Sequence, residues 1–346
     1  MSTLSIVTKK LISLGQARAI RYLGPLVNID DLLASVAARP THLGMEVTNI
    51  CNANCVFCGY QYIQRPKAVL PFELFEKGID EFDALGGGSV GFNTVVGEPL
   101  VAPDLVKEIR YARSKKNIGR IGLFTNGILI DRVGAAALVT SGLDDITVSI
   151  GGLDRETYAR IFRVDRWDSV RQGILHLLQE NESSGGRLRI SLALRSDVPI
   201  WESLRKPAYR EMARYRFDLE FNIRHFDNWS GRIQQEDLSG TMRLRDLPHK
   251  HEPCSVLYRA LKILSNGDVT LCGCRDLNGD SELVLGNIRD RSLDEMWRDS
   301  RVEEIRNGFY ASQYPAICRD CSLYEGLAFF REQRIKSLLR RRGGKP

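Results

Sequence analysis

The chain has 346 residues, of which 43% are hydrophobic and 27% are charged, and its formal net charge at pH 7 is +6. This composition is ordinary for a globular protein, and the length suits one large domain and a smaller one. No apolar run approaches the roughly 18 residues that a membrane span needs. Basic residues are not interleaved with aromatic ones as in nucleic-acid-binding surfaces. We therefore expect neither a membrane nor nucleic acid as a partner.

The N-terminal segment, residues 1–40, is predicted to be helical. Apolar side chains recur in its first half with helical spacing, and they do not form the uninterrupted apolar core of a signal peptide. We predict helices over 3–21 and 29–38, with the second ending at Pro40. The chain is therefore expected to stay in the cytoplasm. In that compartment its eight cysteines indicate metal or redox chemistry rather than disulfides.

From about residue 42 to residue 226, strand and helix signals alternate six times, with glycine breakers such as Gly86-Gly87-Gly88 at the joints. The predicted strands cover 43–48, 89–95, 120–125, 145–150, 187–194 and 218–225, and the predicted helices cover 71–85, 103–116, 131–141, 154–180 and 201–216. Regular alternation implies a parallel sheet with right-handed crossovers. By itself the pattern fits both a doubly wound sheet and a barrel.

Beyond Phe226 the alternation stops, and we place a domain boundary there. A polar, loop-rich stretch precedes a predicted hairpin of strands 258–264 and 268–273, and helices are predicted near 293–307 and 325–340. The predicted organisation is an N-terminal helical segment (1–40), an α/β domain (41–226) and an α+β C-terminal domain (227–346) that holds five of the eight cysteines.

Three cysteines, Cys51, Cys55 and Cys58, form a CxxxCxxC pattern directly after the first predicted strand. Thiolates suit iron–sulfur clusters, zinc or copper(I), and a structural zinc site needs a fourth ligand nearby. The next cysteine is Cys254, so three thiols on a four-iron cluster would leave one iron open. A partial zinc site and scattered core cysteines are the alternatives.

This stretch, with the aromatic Phe57 before its third cysteine, resembles the signature of the radical S-adenosylmethionine (SAM) superfamily. In that family the open iron of a [4Fe–4S] cluster chelates the amine and carboxylate of SAM, and reduction yields a 5′-deoxyadenosyl radical that abstracts hydrogen from a substrate. The resemblance selects the family's partial (β/α)6 TIM-like barrel from the folds that the alternation allows. It also implies an external one-electron reductant of the flavodoxin or ferredoxin type.

The resemblance implies further SAM contacts at the C-terminal ends of the strands, where barrel-like folds place their active sites. Val96-Gly97-Glu98-Pro99 resembles the family's Gly-Gly-Glu-Pro segment with valine in place of the first glycine, and Gly151 stands where the family often has aspartate. Arg195 suits a clamp on the SAM carboxylate, with a surface salt bridge as its alternative role. The candidate SAM-binding residues are Phe57, Gly97, Glu98, Thr125, Asn126, Ser149, Ser191 and Arg195.

The later cysteines, spaced around Gly286-Asn287-Ile288 and Trp297, resemble the auxiliary-cluster domains called SPASM and Twitch. No cysteine follows Cys321, which fits the shorter Twitch form with a single cluster. The resemblance implies one auxiliary [4Fe–4S] cluster, and a zinc site is the alternative. Its predicted ligands are Cys254, Cys272, Cys318 and Cys321. A cluster with four protein ligands has no open iron, so its expected role is electron transfer.

Cys274 is the one thiol without a place in this count of seven ligands. Residues two apart in a strand face the same side, so Cys272 and Cys274 are expected to point together. Three roles for Cys274 stay open: a spare ligand, an inert core thiol, or a hydrogen-atom donor of the kind that related epimerases use.

Alternation along the predicted strands separates an apolar set of side chains from a polar set. If the apolar sets cover the helices, polar and charged groups line the cavity, including Glu220, Asn222 and Arg224 of the sixth strand. Buried charges need partners, and a hydrophilic ligand would supply them. This lining favours a sugar, an aminocyclitol or a nucleoside over a lipid. An internal network of ion pairs and SAM contacts is the alternative.

We predict an oxidoreductase that oxidises an alcohol carbon of a small polar substrate to a ketone, with the auxiliary cluster as electron acceptor. The seventeen-residue gap between Cys254 and Cys272 and the late CxxC resemble a Twitch dehydrogenase of aminoglycoside antibiotic biosynthesis. A base near the substrate would take the hydroxyl proton. The candidate catalytic residues are Arg224, Glu220, His225 and Cys274.

Several alternatives to this dehydrogenase stay open. They are a radical epimerase in which Cys274 returns hydrogen to the opposite face, elimination or decarboxylation of a sugar, and modification of a peptide or protein by a SPASM enzyme. The first 40 residues are too short for the leader-binding domain that peptide modifiers often carry. A non-enzymatic iron–sulfur or zinc scaffold or redox sensor is a further alternative, which a test of SAM binding would separate from an enzyme.

Overall fold

Nine strands form one continuous sheet in the computed structural model of the chain. The structure describes Tyr22 and residues 27–92, 95–221, 224–272 and 275–342, without the side chains of residues 30, 224, 225 and 339–342. The strands of this sheet are β1 His42–Met45, β2 Gly88–Phe92, β3 Ile118–Thr125, β4 Asp145–Ile150, β5 Arg189–Leu194, β6 Asp218–Phe221, β9 Ala260–Ile263, β10 Asp268–Thr270 and β11 Val284–Asn287. A separate pair contains β7 Arg224–Phe226 and β8 Arg243–Leu244.

Strands β1 to β6 are parallel neighbours in chain order, so the predicted partial (β/α)6 barrel is confirmed. The helices between and after these strands are Ile29–Ala37, Phe72–Ala84, Leu105–Arg113, Ile130–Val133, Ala135–Val139, Arg155–Phe162, Trp167–Ser183, Ile200–Arg205 and Pro207–Met212, followed by Leu293–Trp297, Ser300–Tyr310, Ala316–Arg319 and Ala328–Arg342. The helix predicted over 3–21 lies outside the described residues. No helix of the described part is long and apolar enough to cross a membrane.

Three of the predicted barrel helices are interrupted. Gly134, with a φ of 95°, separates the two helices found within 131–141. Arg163 takes a left-handed conformation, φ 54°, and ends the first helix found within 154–180. Pro207 begins the second helix found within 201–216, since proline is tolerated at a first helical position but not in a helix interior.

The C-terminal strands extend the barrel sheet. Strand β9 pairs in parallel with β1, and β10 and β11 continue outward as antiparallel neighbours. Helix Phe72–Ala84 packs over this junction. Its Gly78 lies so close to β9 that an added Cβ would stand 2.3 Å from Ile263 Cδ1. The barrel and the strands that precede the late cysteines therefore share one sheet and one hydrophobic core.

Several strand predictions are wrong at their ends, such as the strand predicted over 43–48, which ends at Met45. Two of these errors bear on the site. The strand predicted over 218–225 is two strands, and β7 leaves the barrel to pair with β8. The alternation that grouped Arg224 with Glu220 therefore does not run through both residues. The strand predicted over 268–273 ends at Thr270, where its register with β11 shifts, so alternation does not carry from β10 to Cys272.

A buried ion pair joins β1 to the C-terminal strands. The Glu46 carboxylate is fully buried and accepts two hydrogen bonds from the Arg65 guanidinium, at 2.8 and 3.0 Å. The same carboxylate accepts from the amide and the hydroxyl of Ser265, at 3.2 and 3.0 Å, and from the Val95 amide. Arg65 Nε donates to the carbonyl of Leu277, 2.7 Å away.

Candidate active site

The loop of Cys51, Cys55 and Cys58 follows β1 and is fixed on both sides. The amide of Val56 donates to Ile161 O at 2.9 Å, and the amide of Cys58 donates to Cys55 O at 3.1 Å. All three thiols are free and half-buried. The structure thus gathers the three cysteines of the motif at the C-terminal end of the first barrel strand.

The surroundings of these three thiols disfavour the charged thiolate form. Burial raises the pKa of Cys51 to about 12 and also raises the pKa of Cys55 and of Cys58, and the charge of Arg195 opposes this rise at the latter two. Metal-ligating cysteines must be deprotonated, so a bound cationic group would reverse this preference. Among the described residues, no three His, Cys, Asp or Glu side chains lie close enough to share a single metal ion. The donor set of three thiols in one loop fits a polynuclear iron–sulfur cluster.

Gly97 and Glu98 bring the end of the second strand against the cysteine loop. Gly97 has a φ of 122°, and a Cβ there would stand 2.6 Å from Thr48 O, so only glycine fits without backbone movement. The buried Glu98 carboxylate accepts hydrogen bonds from Thr125 Oγ1 at 2.5 Å and from the amide of Asn126 at 2.6 Å. Burial raises the pKa of Glu98 to about 7.

Asn126 links the end of β3 to the cysteine loop directly. Its Nδ2 donates to Asn52 Oδ1 at 2.7 Å and lies 3.9 Å from Cys51 Sγ. Arg195 follows β5 and also reaches this loop, since its Nε donates to Ser149 Oγ at 3.3 Å and its guanidinium lies 5.5 Å from the centre of the Phe57 ring. Polar ends of β3, β4 and β5 therefore converge above the three thiols.

The same alternation defines the interior of the barrel below these groups. On β3, Asn126 faces the cysteine loop, so Phe124 and Gly122 face the interior, while Leu123 is fully buried in the core. Phe124 is 45% exposed, which makes it an apolar surface inside a cavity that was predicted to be polar. The other interior positions beside it are Thr147, Ser149, Ser191 and Glu220, and two ion pairs, Arg120–Asp145 and Arg189–Asp218, lie beneath them.

The late cysteines form a second group in the C-terminal part. The charges of Cys254 and Cys321, together with burial, raise the pKa of Cys318. The amide of Cys321 donates to Cys318 O at 3.3 Å, and the amide of Cys272 donates to Thr270 Oγ1 at 3.3 Å. Cys254 and Cys321 thus both act electrostatically on Cys318. The assignment of Cys254, Cys272, Cys318 and Cys321 as cluster ligands stays a prediction. Cys274 lies outside the described residues.

Two protein-family profiles match this chain. The profile of the Radical SAM superfamily matches residues 45–184, and the profile of the SPASM iron-sulfur cluster-binding domain matches residues 254–322. The chain therefore contains a radical SAM domain and a SPASM domain. Its cofactors are SAM, a SAM-binding [4Fe–4S] cluster and an auxiliary [4Fe–4S] cluster.

Known proteins resemble parts of this radical SAM protein. A GTP 3',8-cyclase of Chlorobaculum tepidum is 31% identical over 137 residues, which are 40% of this chain and 41% of the relative, so the match spans less than half of either protein. The structure of BtrN in complex with AdoMet and 2-DOIA matches with a TM-score of 0.55 at 15% identity, over 82% of this chain and 92% of BtrN. The structure of Streptococcus suis SuiB bound to precursor peptide SuiA matches with a TM-score of 0.56 at 17% identity, over 78% of this chain and 67% of SuiB. At these identities the two structures show a shared fold.

The predicted SAM-site residues of this radical SAM protein lie together. Contacts join Phe57, Glu98, Thr125, Asn126, Ser149 and Arg195 to one another or to the cysteine loop, and Ser191 lies on the interior face of β5 one layer lower. Their roles toward SAM stay predictions. Of the predicted catalytic residues, Glu220 acts electrostatically on Arg195, while the side chains of Arg224 and His225 are not described.

Sequence reasoning missed a set of residues between the two cysteine groups. Trp229 Nε1 donates to the carbonyl of Phe57 at 2.9 Å, and Asp227 accepts from Ser322 Oγ at 2.8 Å. Both belong to a stretch that was predicted only as a polar loop. A tryptophan beside Asp-Asn in such a loop was the available signal, but their partners lie 172 and 95 residues away in the chain.

Proposed function

We propose that this radical SAM enzyme oxidises an alcohol carbon of a small polar substrate, such as a sugar, an aminocyclitol or a nucleoside, to a ketone. When bound at Cys51, Cys55 and Cys58, the cluster and SAM would supply a 5′-deoxyadenosyl radical, which would accept a hydrogen atom from the substrate carbon. A protein base would take the hydroxyl proton, and an auxiliary cluster held by Cys254, Cys272, Cys318 and Cys321 would accept the remaining electron. The observation that carries this proposal is the barrel interior, where hydroxyl, carboxylate and guanidinium groups lie directly below the cysteine loop.

The residues of the chain have separate roles in this proposal. Arg195 and Asn126 orient groups at the cysteine loop, and Thr147 and Ser191 offer hydroxyls to a polar ligand one layer below. Glu220 is the described candidate for the base, because it lies on the interior face of β6 opposite Ala193. Arg224 and His225 remain further candidates.

Likeness to BtrN, a Twitch radical SAM dehydrogenase, supports the oxidative reading. Its structure contains AdoMet and 2-DOIA, and the match covers 92% of BtrN. The single set of four predicted ligands in the C-terminal part agrees with one auxiliary cluster used as an electron acceptor. SuiB supports the SPASM fold in the same way, and its bound peptide makes peptide modification a further outcome to test.

A nucleotide cyclase is the second candidate function. The relatives named GTP 3',8-cyclase are about one-third identical to this chain, but the matches are confined to some 40% of it. Anaerobic incubation with GTP, SAM and reductant tests this candidate directly. A cyclised nucleotide product would replace the dehydrogenase proposal, and uncoupled SAM cleavage alone would leave the dehydrogenase proposal in place.

The reductant, a flavodoxin or ferredoxin, is proposed to reach the cysteine loop at a surface depression beside that loop. It is lined by Cys51, Asn52, Tyr60, Gln61 and Lys67, so the loop is reachable from outside without passing through the barrel. Such reductants and oxygen-sensitive clusters belong to the reducing cytoplasm.

A dehydrogenase and an epimerase would differ in the hydrogen content of their products. Oxidation should give a product two hydrogens lighter than the substrate, with no solvent hydrogen at carbon. Epimerisation by a thiol donor should leave the mass unchanged in ordinary water and add one deuterium in heavy water, because a thiol exchanges its proton with solvent. We expect the lighter, deuterium-free product.

The measurement is mass spectrometry of the product formed in heavy water by the wild type and by Cys274→Ala. We expect the two proteins to behave alike, because oxidation does not use Cys274. One incorporated deuterium that disappears in Cys274→Ala would overturn the dehydrogenase proposal in favour of an epimerase. Cys274→Ser should also fail in that case, since a hydroxyl O–H bond is too strong to donate hydrogen.

Replacing Glu220 by alanine should lower substrate turnover about 100-fold or more while changing uncoupled SAM cleavage little, because a positioned base contributes roughly 10²–10⁴-fold. Product and 5′-deoxyadenosine are measured in the same reaction by liquid chromatography. Arg224→Ala is expected to show the same split. Glu202→Ala, an exposed carboxylate on the outer helix Ile200–Arg205, is the matched control and should change neither quantity. Equal loss of both would assign Glu220 to the SAM site or the fold.

A further inference from the structure

A short segment, residues 227–230, lies between the two groups of cysteines and contacts both. Toward the first group, Trp229 Nε1 donates to the carbonyl of Phe57, the residue before Cys58. The Trp229 ring also covers Gly59, where an added Cβ would stand 2.7 Å from Cε3. The indole is thus fitted closely to the backbone on both sides of Cys58.

Toward the second group, the same segment holds the loop of Cys321. Asn228 Nδ2 donates to the carbonyl of Asp320 at 2.8 Å, and Asn228 and Ser322 exchange two further hydrogen bonds at 3.1 and 3.3 Å. Ser322 Oγ also donates to Asp227 at 2.8 Å. The two residues that flank Cys321, Asp320 and Ser322, are therefore tied to two residues of the segment.

Arg275 completes the connection. Its guanidinium forms an ion pair with Asp227 and lies 4.2 Å from the centre of the Trp229 ring. The Arg275 and Asp227 side chains are only 12% and 9% exposed. A charge pair held away from water and stacked on an aromatic ring has a fixed geometry and a weakly screened field.

The two charges lie beside Cys58, because Arg275 stacks on the Trp229 ring and that ring covers Gly59, the residue after Cys58. A nearby positive charge favours an additional electron on a group bound to the Cys58 thiolate, and a nearby negative charge disfavours it. The pair is therefore placed to adjust the electron affinity of whatever Cys58 ligates.

We propose that Asp227, Trp229, Arg275 and Ser322 form a clasp that holds the Cys58 loop against the Cys321 loop and sets the reduction potential of the SAM-binding cluster through two opposed charges. These are positioning residues, since they act on the cluster through Cys58 and its backbone. The inference rests on the cluster assignment and is independent of the proposed substrate.

The test is a redox titration followed by electron paramagnetic resonance on the reconstituted protein. The signal that changes when SAM is added reports the SAM-binding cluster. Arg275→Gln should lower its midpoint potential, with about a tenfold smaller ratio of reduced to oxidised cluster at a fixed potential, which is about 59 mV for a one-electron couple. Asp227→Asn should raise the potential, and the double variant should fall between the two.

Two further variants separate charge from structure. Arg275→Lys keeps the positive charge and should keep a potential close to that of the wild type. Arg291→Gln removes a positive charge from the Asp299 ion pair elsewhere in the C-terminal part and should shift nothing. If Asp227→Asn does not load its clusters, the contrast between Arg275→Gln and Arg275→Lys still decides the matter.

Opposite shifts from the two single charge variants would support the proposal. Shifts of the same sign, or shifts no larger than that of Arg291→Gln, would overturn it. Neither result depends on turnover of a substrate, so failure of the proposed dehydrogenase function would appear separately, as absence of ketone product with unchanged potentials.

Discussion

Replacing Cys51, Cys55 and Cys58 together by alanine should abolish 5′-deoxyadenosine formation and leave about four irons per chain, whereas the wild type should bind about eight in two four-iron clusters. The reason is local. The three thiols belong to one loop, and the late cysteines that remain lie outside that loop, in the C-terminal part of the chain. Iron content and SAM cleavage are measured after anaerobic reconstitution of both proteins.

The matched control replaces Cys254, Cys318 and Cys321 by alanine. It should also bind about four irons, but it should keep uncoupled SAM cleavage because the first loop is intact. Deoxyadenosine formed by the first triple variant would contradict the assignment of the CxxxCxxC loop. A wild-type protein that binds about four irons and zinc would instead assign the late cysteines to a zinc site.

The alternation of strands and helices was predictable because each barrel strand is buried on its outer face by helices. Apolar sets such as Ile146, Val148 and Ile150 are fully buried, and the strand predicted over 145–150 matches β4 residue for residue. Local hydrophobic pattern determines such elements, so sequence alone suffices to predict them. Helix interruptions at Gly134 and Arg163 depend on single backbone conformations, which pattern does not reveal.

Pairing between distant strands was not predictable in the same way. The hairpin of β9 and β10 was expected to belong to a separate domain, but β9 adds to β1 in parallel across more than 200 residues of chain. Nothing in the alternation of β9 distinguishes a hairpin that stands alone from one that extends another sheet. The end of β10 at Thr270 follows from a register shift with β11, which is also a tertiary feature.

The candidate site shows the same division. Motifs carried by one loop or one strand end, such as Cys51 and Asn126, are brought together as expected because parallel strands end at the same edge. The clasp combines residues from three distant parts of the chain, and no short motif contains them. The exposure of Phe124 was not predicted, because Phe124 occupies an interior position of the barrel that alternation assigns to the polar set.

The ion pair of Glu46 and Arg65 shows where the prediction of a polar cavity was too simple. Glu46 lies at a polar position of the first predicted strand, so alternation alone would place it in the lining of the barrel. In the structure its carboxylate is fully buried and is occupied by Arg65, Ser265 and the Val95 amide. Glu46 therefore joins the barrel to the C-terminal strands. This is the internal ion-pair network that was predicted from the sequence as the alternative to a hydrophilic substrate.

Replacing Arg65 by alanine should lower the free energy of unfolding by about 3–5 kcal/mol, because it leaves the buried Glu46 carboxylate without its cation. The guanidinium also donates to Leu277 O, so the variant loosens the contact between the loop after the first cysteine group and the C-terminal part. Denaturant unfolding of the cluster-loaded protein, followed by circular dichroism under anaerobic conditions, measures the change.

The matched control is Arg120→Ala, which removes the same side chain from an ion pair with Asp145 at 2.8 Å but with a guanidinium side chain that is 59% exposed. An exposed pair contributes about 0–1 kcal/mol, so this variant should unfold nearly as the wild type does.

The double variant Glu46→Leu/Arg65→Met should recover most of the loss, since apolar groups of similar volume can replace a buried pair without a desolvation penalty. Equal destabilisation by Arg65→Ala and Arg120→Ala would show that the loss of unfolding free energy does not come from the buried Glu46 carboxylate. Failure of the double variant to recover would instead locate the stabilisation in the hydrogen bonds to Ser265 and Val95.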